Sequence, residues 1–583
     1  MTAHATLSAR PQKRFWGWGY VHEQLSAQEH SVVQALLARL PGGFSAKVSE
    51  PQVEDFALAP PRMPAPATLA PVLSCTPYDR LVHSYGKSFA DGVRMWMRHV
   101  PSAPDWVAFP RNEDELIDVL DWAHEQRVAV IPFGGGTSVV SGVEASVGDG
   151  YRATLSLDME RFDRVLEVDP TSRCARIQAG VLGPDLEAQL KPHGLTLRHY
   201  LQSFQFSTLG GWIATRAGGH YATQYTHIDD FVQSTRTVTP RGVVQTRRLP
   251  GSGAGPAPDR LIIGSEGTLG VITEAWMRLQ DRPTFRASAS VRFNSYPDAV
   301  ACVRALSQSG LQPSNCRLLD AAEVAFAGVG DRRSPTLVLA FESADHPLHA
   351  WMVRALELVA DHGGLYDHEA VQRSMAPADA AHATETPQHR QGSAGDWRDA
   401  FIRMPYWRDE TTRHGAILDT FETAVTWDRF EAFYDGIKQD VAEAIRRVTG
   451  HAVPVSCRFT HVYPDGPATY FTFAASSGGH TDLASTWAQW RDIKAACNAA
   501  VVGHGGTSTH HHAVGRDHRP SYEQEVPQLM RQALAGAKAV MDPAGIMNPG
   551  VLIDPAQHFV GITGGTVSAG ENGDTAGWPA TTK

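Results

Sequence analysis

The sequence predicts an α+β protein of two main domains, and three observations carry that reading. Residues 105–282 alternate strand-like and helix-like segments, interrupted by three loops rich in glycine and hydroxyl side chains. Residues 283–500 interleave strand-like runs with long amphipathic helices, the pattern of a second α+β domain. At 583 residues the chain is long enough for two or three domains around a large buried core.

Composition narrows the class of protein. Hydrophobic residues make up 42% and charged residues 20%, as in an ordinary soluble globular chain. A net charge of −10 leaves no basic excess to neutralise a phosphate backbone, which argues against broad nucleic-acid binding while allowing a local pocket for one phosphate. The six cysteines are scattered without a CxxC pair, which suits reduced cytosolic thiols better than a disulfide framework or a zinc site. No apolar run approaches the ~18 residues needed to cross a bilayer. The opening MTAHATLSARPQKRFWGWGY lacks the apolar core of a secretion signal. The expected location is cytoplasmic, with contact at a membrane surface left open.

Along the chain, residues 1–101 form an N-terminal extension rich in proline and aromatic residues, with a helix expected over Ser31–Leu40 that stops at Pro41-Gly42-Gly43. The first domain is expected over 102–282. Asn112 and Glu115 make an N-cap pair, followed at helical spacing by Leu116, Leu120 and Ala123. The strand-like run from Val128 leads into Gly134-Gly135-Gly136, and further strands are expected at Ala153–Leu157, Cys174–Ala179, Leu261–Ile263 and Val271–Leu279. The second domain, 283–505, has strands at Ser288–Phe293 and Thr336–Phe341. Its clearest helix aligns Phe430, Phe433, Ile437, Val441, Ala444 and Val448 in one stripe, which reads as core. Residues 370–399 read as a mobile loop or lid. Residues 506–558 form a C-terminal segment, and the Gly/Thr/Ser-rich tail 559–583 is expected to be disordered.

The three loops share one chemistry. They are Pro132-Phe133-Gly134-Gly135-Gly136-Thr137-Ser138, Ser207-Thr208-Leu209-Gly210-Gly211-Trp212 with Thr215-Arg216-Ala217-Gly218, and Gly264-Ser265-Glu266-Gly267-Thr268-Leu269-Gly270. Glycines let the backbone take positive φ and turn several N–H groups toward one anion such as a pyrophosphate, with Thr137, Ser138 and Thr208 as extra donors. Any one of them alone would pass for a plain turn. None matches G-x-G-x-x-G or carries the P-loop lysine, so dinucleotide-fold and P-loop readings lack their key residues.

In this order, PFGGGTSV, FSTLGGWIATRAGG and GSEGTLGVITE closely resemble the FAD-binding domain of the vanillyl-alcohol-oxidase (PCMH-type) superfamily. The resemblance implies that domain plus an α+β cap (substrate) domain, with FAD bound noncovalently. It places the first and third loops around the diphosphate and ribityl chain, and Gln202-Ser203-Phe204-Gln205-Phe206 with the second loop beside the isoalloxazine. From Trp16-Gly17-Trp18-Gly19-Tyr20 to about Ile553 the chain further resembles the alkyldihydroxyacetonephosphate synthases. The matching stretches include Cys316-Arg317-Leu318-Leu319-Asp320, Tyr406-Trp407-Arg408-Asp409, Phe421-Glu422-Thr423, Ala468-Thr469-Tyr470-Phe471 and STHHHAVG over 508–515. That resemblance implies a catalytic role for Tyr470, a phosphate-holding Arg408, Thr420 where the family has a nearby serine, an activity-essential Arg317, and His510, His511 and His512 at the active site. The implied partners are acyl-dihydroxyacetone phosphate and a long-chain alcohol, exchanged acyl for alkyl without net redox, in a homodimer.

These residue types suit that chemistry. An arginine grips phosphate oxygens through paired donors. Proton removal beside a ketone needs a base near neutral pH, which histidine supplies and which a tyrosine flanked by cations supplies if its pKa falls. Apart from the resemblance, Tyr470 in TYFTF would read as a core tyrosine, and Arg317 and Arg408 as surface ion-pair residues. Three adjacent histidines rarely serve packing. A metal is their rival reading, but consecutive spacing does not easily bring all three to one ion, so no metal is expected. The family's HHHGVGK reads HHHAVGR here, with Ala513 and Arg516, and Gln202 and Gln205 stand where acidic residues are common. The chain ends Ala-Thr-Thr-Lys583 without a peroxisomal address, which sets a bacterial context as the expectation. The alternative activity is an FAD-dependent D-2-hydroxyacid dehydrogenase or oxidase, disfavoured because such relatives carry Glu-His-Gly where this chain has His-His-Ala.

Overall fold

Three larger β-sheets and one two-stranded sheet organise the described residues, 11–41, 47–225, 227–375, 393–476 and 482–554, in the computed structural model. The first sheet runs Leu73–Ser74, Trp106–Ala108, Ala153–Asp158, Val128–Phe133, the last three strands parallel. The helix Glu113–Gln126 is the crossover from Trp106–Ala108 to Val128–Phe133, the two parallel strands that flank Ala153–Asp158. The Asn112 side chain caps that helix by accepting from the Glu115 N–H at 3.0 Å, and Leu116, Val119, Leu120 and Ala123 bury its apolar face.

The second sheet is antiparallel, in the order Val165–Asp169, Cys174–Gln178, Val271–Arg278, Val232–Thr239, Gly242–Gln245. The third is a seven-stranded antiparallel sheet in the order Leu365–Tyr366, Phe285–Arg292, Thr336–Ser343, Asn315–Leu319, Ser456–Val462, Pro467–Ser476, Ala416–Ala424. The helix Trp427–Thr449 buries Phe430, Phe433, Ile437, Val441 and Ala444 in the core of this domain, as its stripe predicts. All six cysteines are free thiols, five of them buried. Among the described residues no helix is long and apolar enough to cross a membrane.

After the cap domain the chain returns to the first sheet. Val130 N–H donates to Ile546 O and Asn548 N–H donates to Val130 O, both at 2.8 Å, so the C-terminal segment adds to the edge of Val128–Phe133. Lys538 locks this return. Its buried ammonium donates to Thr268 O at 2.8 Å and Met547 O at 2.7 Å and pairs with Asp542 at 3.0 Å.

Two expectations are corrected, and two fall largely or wholly outside the described residues. The first helix spans Ala27–Arg39, not Ser31–Leu40, because Ser26 and Glu29 form a capping box that starts it one turn earlier. Leu261–Ile263 is not a strand. Pro258, already in helical conformation, leads into the short helix Asp259–Ile262, and a three-residue apolar run has no periodicity to separate the two outcomes. The expected lid at 370–399 falls largely on residues outside those described, between the helices His368–Ser374 and Ser393–Thr412, and the tail 559–583 lies wholly outside them.

Replacing Lys538 by Met should leave the Asp542 carboxylate buried without its cation and cost about 3 kcal/mol or more of stability. A urea unfolding midpoint equal to that of the wild type would show that the return of the C-terminal segment does not depend on this pair.

Candidate active site

The three glycine loops converge on one cavity of about 240 Å³. Pro132 to Ser138 form one wall, and Gln202, Ser203, Ser207, Thr208, Thr215, Ala217, Gly218, Glu266, Gly267 and Gly270 contribute the rest of the expected cofactor shell. The other residues of that expectation stand behind the wall. Phe204 stacks on Tyr200 and Trp212, Phe206 packs against Trp18, and Gln205 is exposed. Arg216 reaches out to Asp229 at 2.8 Å. Ser265, Thr268 and Leu269 are buried, with the Thr268 hydroxyl donating to Ser265 O, and Gly264 makes a left-handed turn at φ +82°.

Glycine is required where the loops touch one another. A Cβ at Gly135 would lie 1.8 Å from the Phe206 carbonyl oxygen, and one at Gly134 would lie 2.3 Å from Thr208 Oγ1. Small residues therefore bring backbone, not side chains, to the cavity surface. Asn548 also faces the cavity. Its Nδ2 donates to Gly142 O and Glu266 O, while its buried Oδ1 has no partner. A backbone-lined cradle with an orphaned acceptor fits FAD, whose diphosphate needs N–H donors and whose ring carries an N–H.

The reactive side chains come from the cap sheet and the C-terminal segment. Tyr470 lies on Pro467–Ser476, and its hydroxyl is 2.9 Å from Thr420 Oγ1 on the neighbouring strand. The Arg458 guanidinium sits 3.9 Å from the centre of the Tyr470 ring. Burial pushes the Tyr470 phenol up, and Arg458 and Thr420 only partly offset it. The condition under which the tyrosine would serve as base is therefore not met, because desolvation outweighs one cation that faces the ring.

His511 and His512 line the cavity beside Tyr470, with ring centres 5.9 and 5.5 Å from the tyrosine ring and 4.5 Å from each other. His510 stands behind them, with Nε2 2.7 Å from the Tyr463 hydroxyl and Nδ1 3.0 Å from His511 Nδ1. Burial, followed by repulsion from His511, holds His510 and His512 well below the usual histidine range, so both are neutral at pH 7. His461, buried and on the cavity wall, bonds Gly219 O through Nε2 at 2.8 Å. One nitrogen from each of His461, His510 and His511 falls within 4.8 Å of the others, so the cluster is not the consecutive triplet.

Arg317, on Asn315–Leu319, is buried on the cavity wall, its guanidinium pushed down to about 9 by burial and then by Arg458. Arg408 is not on that wall. Its guanidinium donates to Lys87 O in a small recess behind Ser138, formed with Gly17 and Gly86. Four contributors were not assigned a role from sequence: Glu422, Arg458, Trp18 and His461. The signal for Glu422 was present, since an acid inside the strand Ala416–Ala424 must find buried partners.

A glycine-loop cradle for FAD beneath an antiparallel cap defines an FAD-linked enzyme of two-domain construction, and the cofactor is FAD. Residues 104–247 match the FAD binding domain family and residues 282–552 match the C-terminal domain of FAD linked oxidases. The chain is 31% identical to the alkyldihydroxyacetonephosphate synthase of Dictyostelium discoideum over 81% of its own length and 77% of that protein's. It is 30% identical to the same enzyme of Trypanosoma brucei brucei over 82% and 77%. A solved alkyldihydroxyacetonephosphate synthase structure superposes with a TM-score of 0.75 at 24% identity, covering 92% of this chain and 98% of that one, which establishes the shared fold. A mitochondrial D-lactate dehydrogenase of Arabidopsis thaliana matches at 33%, but over only 45% of this chain. The chain belongs to the alkyldihydroxyacetonephosphate synthase family.

The purified protein should be yellow and release its FAD on acid precipitation. Flavin that stays with the precipitated chain would overturn noncovalent binding. Gly135→Ala should yield folded protein without flavin absorbance, because its Cβ collides with the Phe206 carbonyl. Normal flavin content in that variant would show that the loops can separate without loss of the cradle.

Proposed function

We propose that the protein exchanges the acyl chain of acyl-dihydroxyacetone phosphate for a long-chain alcohol, giving an ether and a free fatty acid without net redox. The observation that carries this is the meeting of Tyr470, Arg317, His511 and His512 on the wall of the FAD cavity. It is supported by identity to the synthases over four-fifths of the chain. The proposal uses the division into an N-terminal extension, FAD-binding domain 102–282, cap 283–505 and C-terminal segment 506–558.

Each residue has a stated task. Arg317 supplies a buried positive charge for the phosphate-bearing end of the substrate. Arg408 is assigned to the phosphate oxygens, which requires it to exchange the Lys87 carbonyl for a stronger, charged acceptor. His512, or His511 beside it, takes the proton from the carbon between ester oxygen and ketone and returns it to that carbon in the product. The proton of the incoming alcohol replaces the one that Tyr470 gives to the departing carboxylate. Tyr470, kept protonated by burial and oriented by Thr420, acts as hydrogen-bond donor and acid toward the departing carboxylate. FAD, when bound, supplies an electrophile and electron sink that side chains lack. The fatty chains call for work at a cytoplasmic membrane surface. The exposed Leu529, Met530 and Val540 on the helix Gln528–Met541 would serve either that contact or a homodimer.

Tyr470→Phe preserves the ring and removes one hydroxyl. It should retain FAD and lose ~100- to 10,000-fold in ether formation from acyl-dihydroxyacetone phosphate and hexadecanol. Full activity would take the acid role from Tyr470. Wild-type flavin bleached rapidly by D-lactate, with no ether product, would replace the synthase reading with a dehydrogenase.

Arg408→Ala should weaken substrate binding roughly thirty- to a thousand-fold with normal flavin content. Unchanged affinity would leave the phosphate to Arg317.

A further inference from the structure

The buried Glu422 carboxylate is the densest acceptor in the site. It takes the Thr509 hydroxyl at 2.6 Å and the backbone N–H groups of His510, His511 and His512 at 2.7, 3.2 and 3.0 Å. The ring nitrogens Nδ1 of His511 and His512 lie 3.4 and 3.7 Å from it. Glu422 is also the cross-strand partner of Tyr470 in the pairing of Ala416–Ala424 with Pro467–Ser476. Directly opposed residues project from the same face of a sheet, with Cβ atoms about 5 Å apart. One side chain therefore grips the histidine segment from the strand position directly opposite Tyr470.

We propose that Glu422 is the positioning residue that fixes the three-histidine segment against Tyr470 and so assembles the acid and base of the reaction from two separate parts of the chain. It touches neither substrate nor cofactor, since it does not line the cavity. Four donors over-determine its position, and a carboxylate without hydrogen can accept all of them at once. An amide cannot, because its NH₂ would meet backbone N–H groups donor to donor. Burial alone would push the carboxyl up, but the imidazoles of His511, His512 and His510 hold it well below the usual carboxylate range. The reciprocal effect is that its negative charge favours the imidazolium forms of His510 and His512. The other titratable groups that face it are Tyr470 from the opposed strand, Tyr463 from the loop after Ser456–Val462, and His518 beyond the triplet. Lys494 on the helix Leu483–Gly503 and Arg458 on Ser456–Val462 are the nearby cations.

This inference rests on the synthase reading, and its test separates the two. Glu422→Gln and Glu422→Asp are prepared as FAD-loaded full chains. Flavin content, ether formation from acyl-dihydroxyacetone phosphate and hexadecanol across pH, and ¹⁵N-histidine NMR titrations are then compared with wild type. Glu422→Gln should keep its flavin and lose about 100-fold in kcat with little change in KM, the scale of a small misplacement of reacting groups. Losing the negative charge lowers the histidine pKa values, so the acid limb of the profile should move to lower pH by about half a unit or more. Glu422→Asp should recover part of kcat and leave the limb in place. Wild-type kcat and an unmoved limb in Glu422→Gln would overturn the proposal, as would activity lost only in proportion to flavin. If Glu422→Gln does not fold, Glu422→Asp decides, since its shorter reach must lower kcat without loss of flavin. Histidine resonances that shift in the variant while wild type forms no ether would sustain the positioning role and reject the synthase reading.

Discussion

Residues 509–515 are gripped at both ends by buried carboxylates, one from each domain. Glu422 of the cap accepts the N–H groups of His510, His511 and His512, and Glu266 of the third FAD loop accepts those of Val514 and Gly515 at 2.9 and 2.8 Å. The segment between a cofactor domain and a cap thus satisfies its backbone donors on both. Without these acceptors the N–H groups of His510, His511, Val514 and Gly515 would lose their partners, at a cost of about 1–3 kcal/mol each. The cavity, the histidine set and the orientation of Tyr470 all depend on this double attachment.

Glu266 shows what the attachment costs. Burial pushes its carboxyl up to about 7, although the two N–H groups oppose that shift, and its backbone sits in the left-handed region at φ +51°. The residue is followed by Gly267, also left-handed at φ +71°, whose absent side chain lets Pro132 approach. The GSEGTLG segment therefore does two things at once. Its glycines shape the cofactor cradle, and its one acid reaches past the cradle to the C-terminal chain.

The cradle was legible in the sequence because its requirement is local: where backbone must approach backbone, glycine is needed at that position, and Gly134, Gly135 and Gly267 say so one residue at a time. The same holds for the Asn112 cap and for the Ser26–Glu29 box, each set by residues three apart in the chain. Relations between strands were not legible. Nothing along the chain announces that Glu422 opposes Tyr470, that Arg458 lies over the tyrosine ring, or that His461 joins His510 and His511 in place of His512. The direction of the Tyr470 shift was not legible either. Counting cations near a phenol in sequence cannot weigh them against the depth at which the sheet buries it.

Ala513 draws these strands together. It occupies the position where the family resemblance has glycine, and its φ of +74° is the conformation glycine adopts without penalty. For alanine that conformation costs roughly 1–2 kcal/mol. Such a residue persists only where its surroundings over-determine it. Here they do, because Glu422 holds the chain immediately before Ala513 and Glu266 holds it immediately after. The peptide must reverse direction within that one residue to present the histidines to the cap and the next N–H groups to the cofactor domain. The two carboxylates set the geometry of the turn, and the alanine is carried along in it.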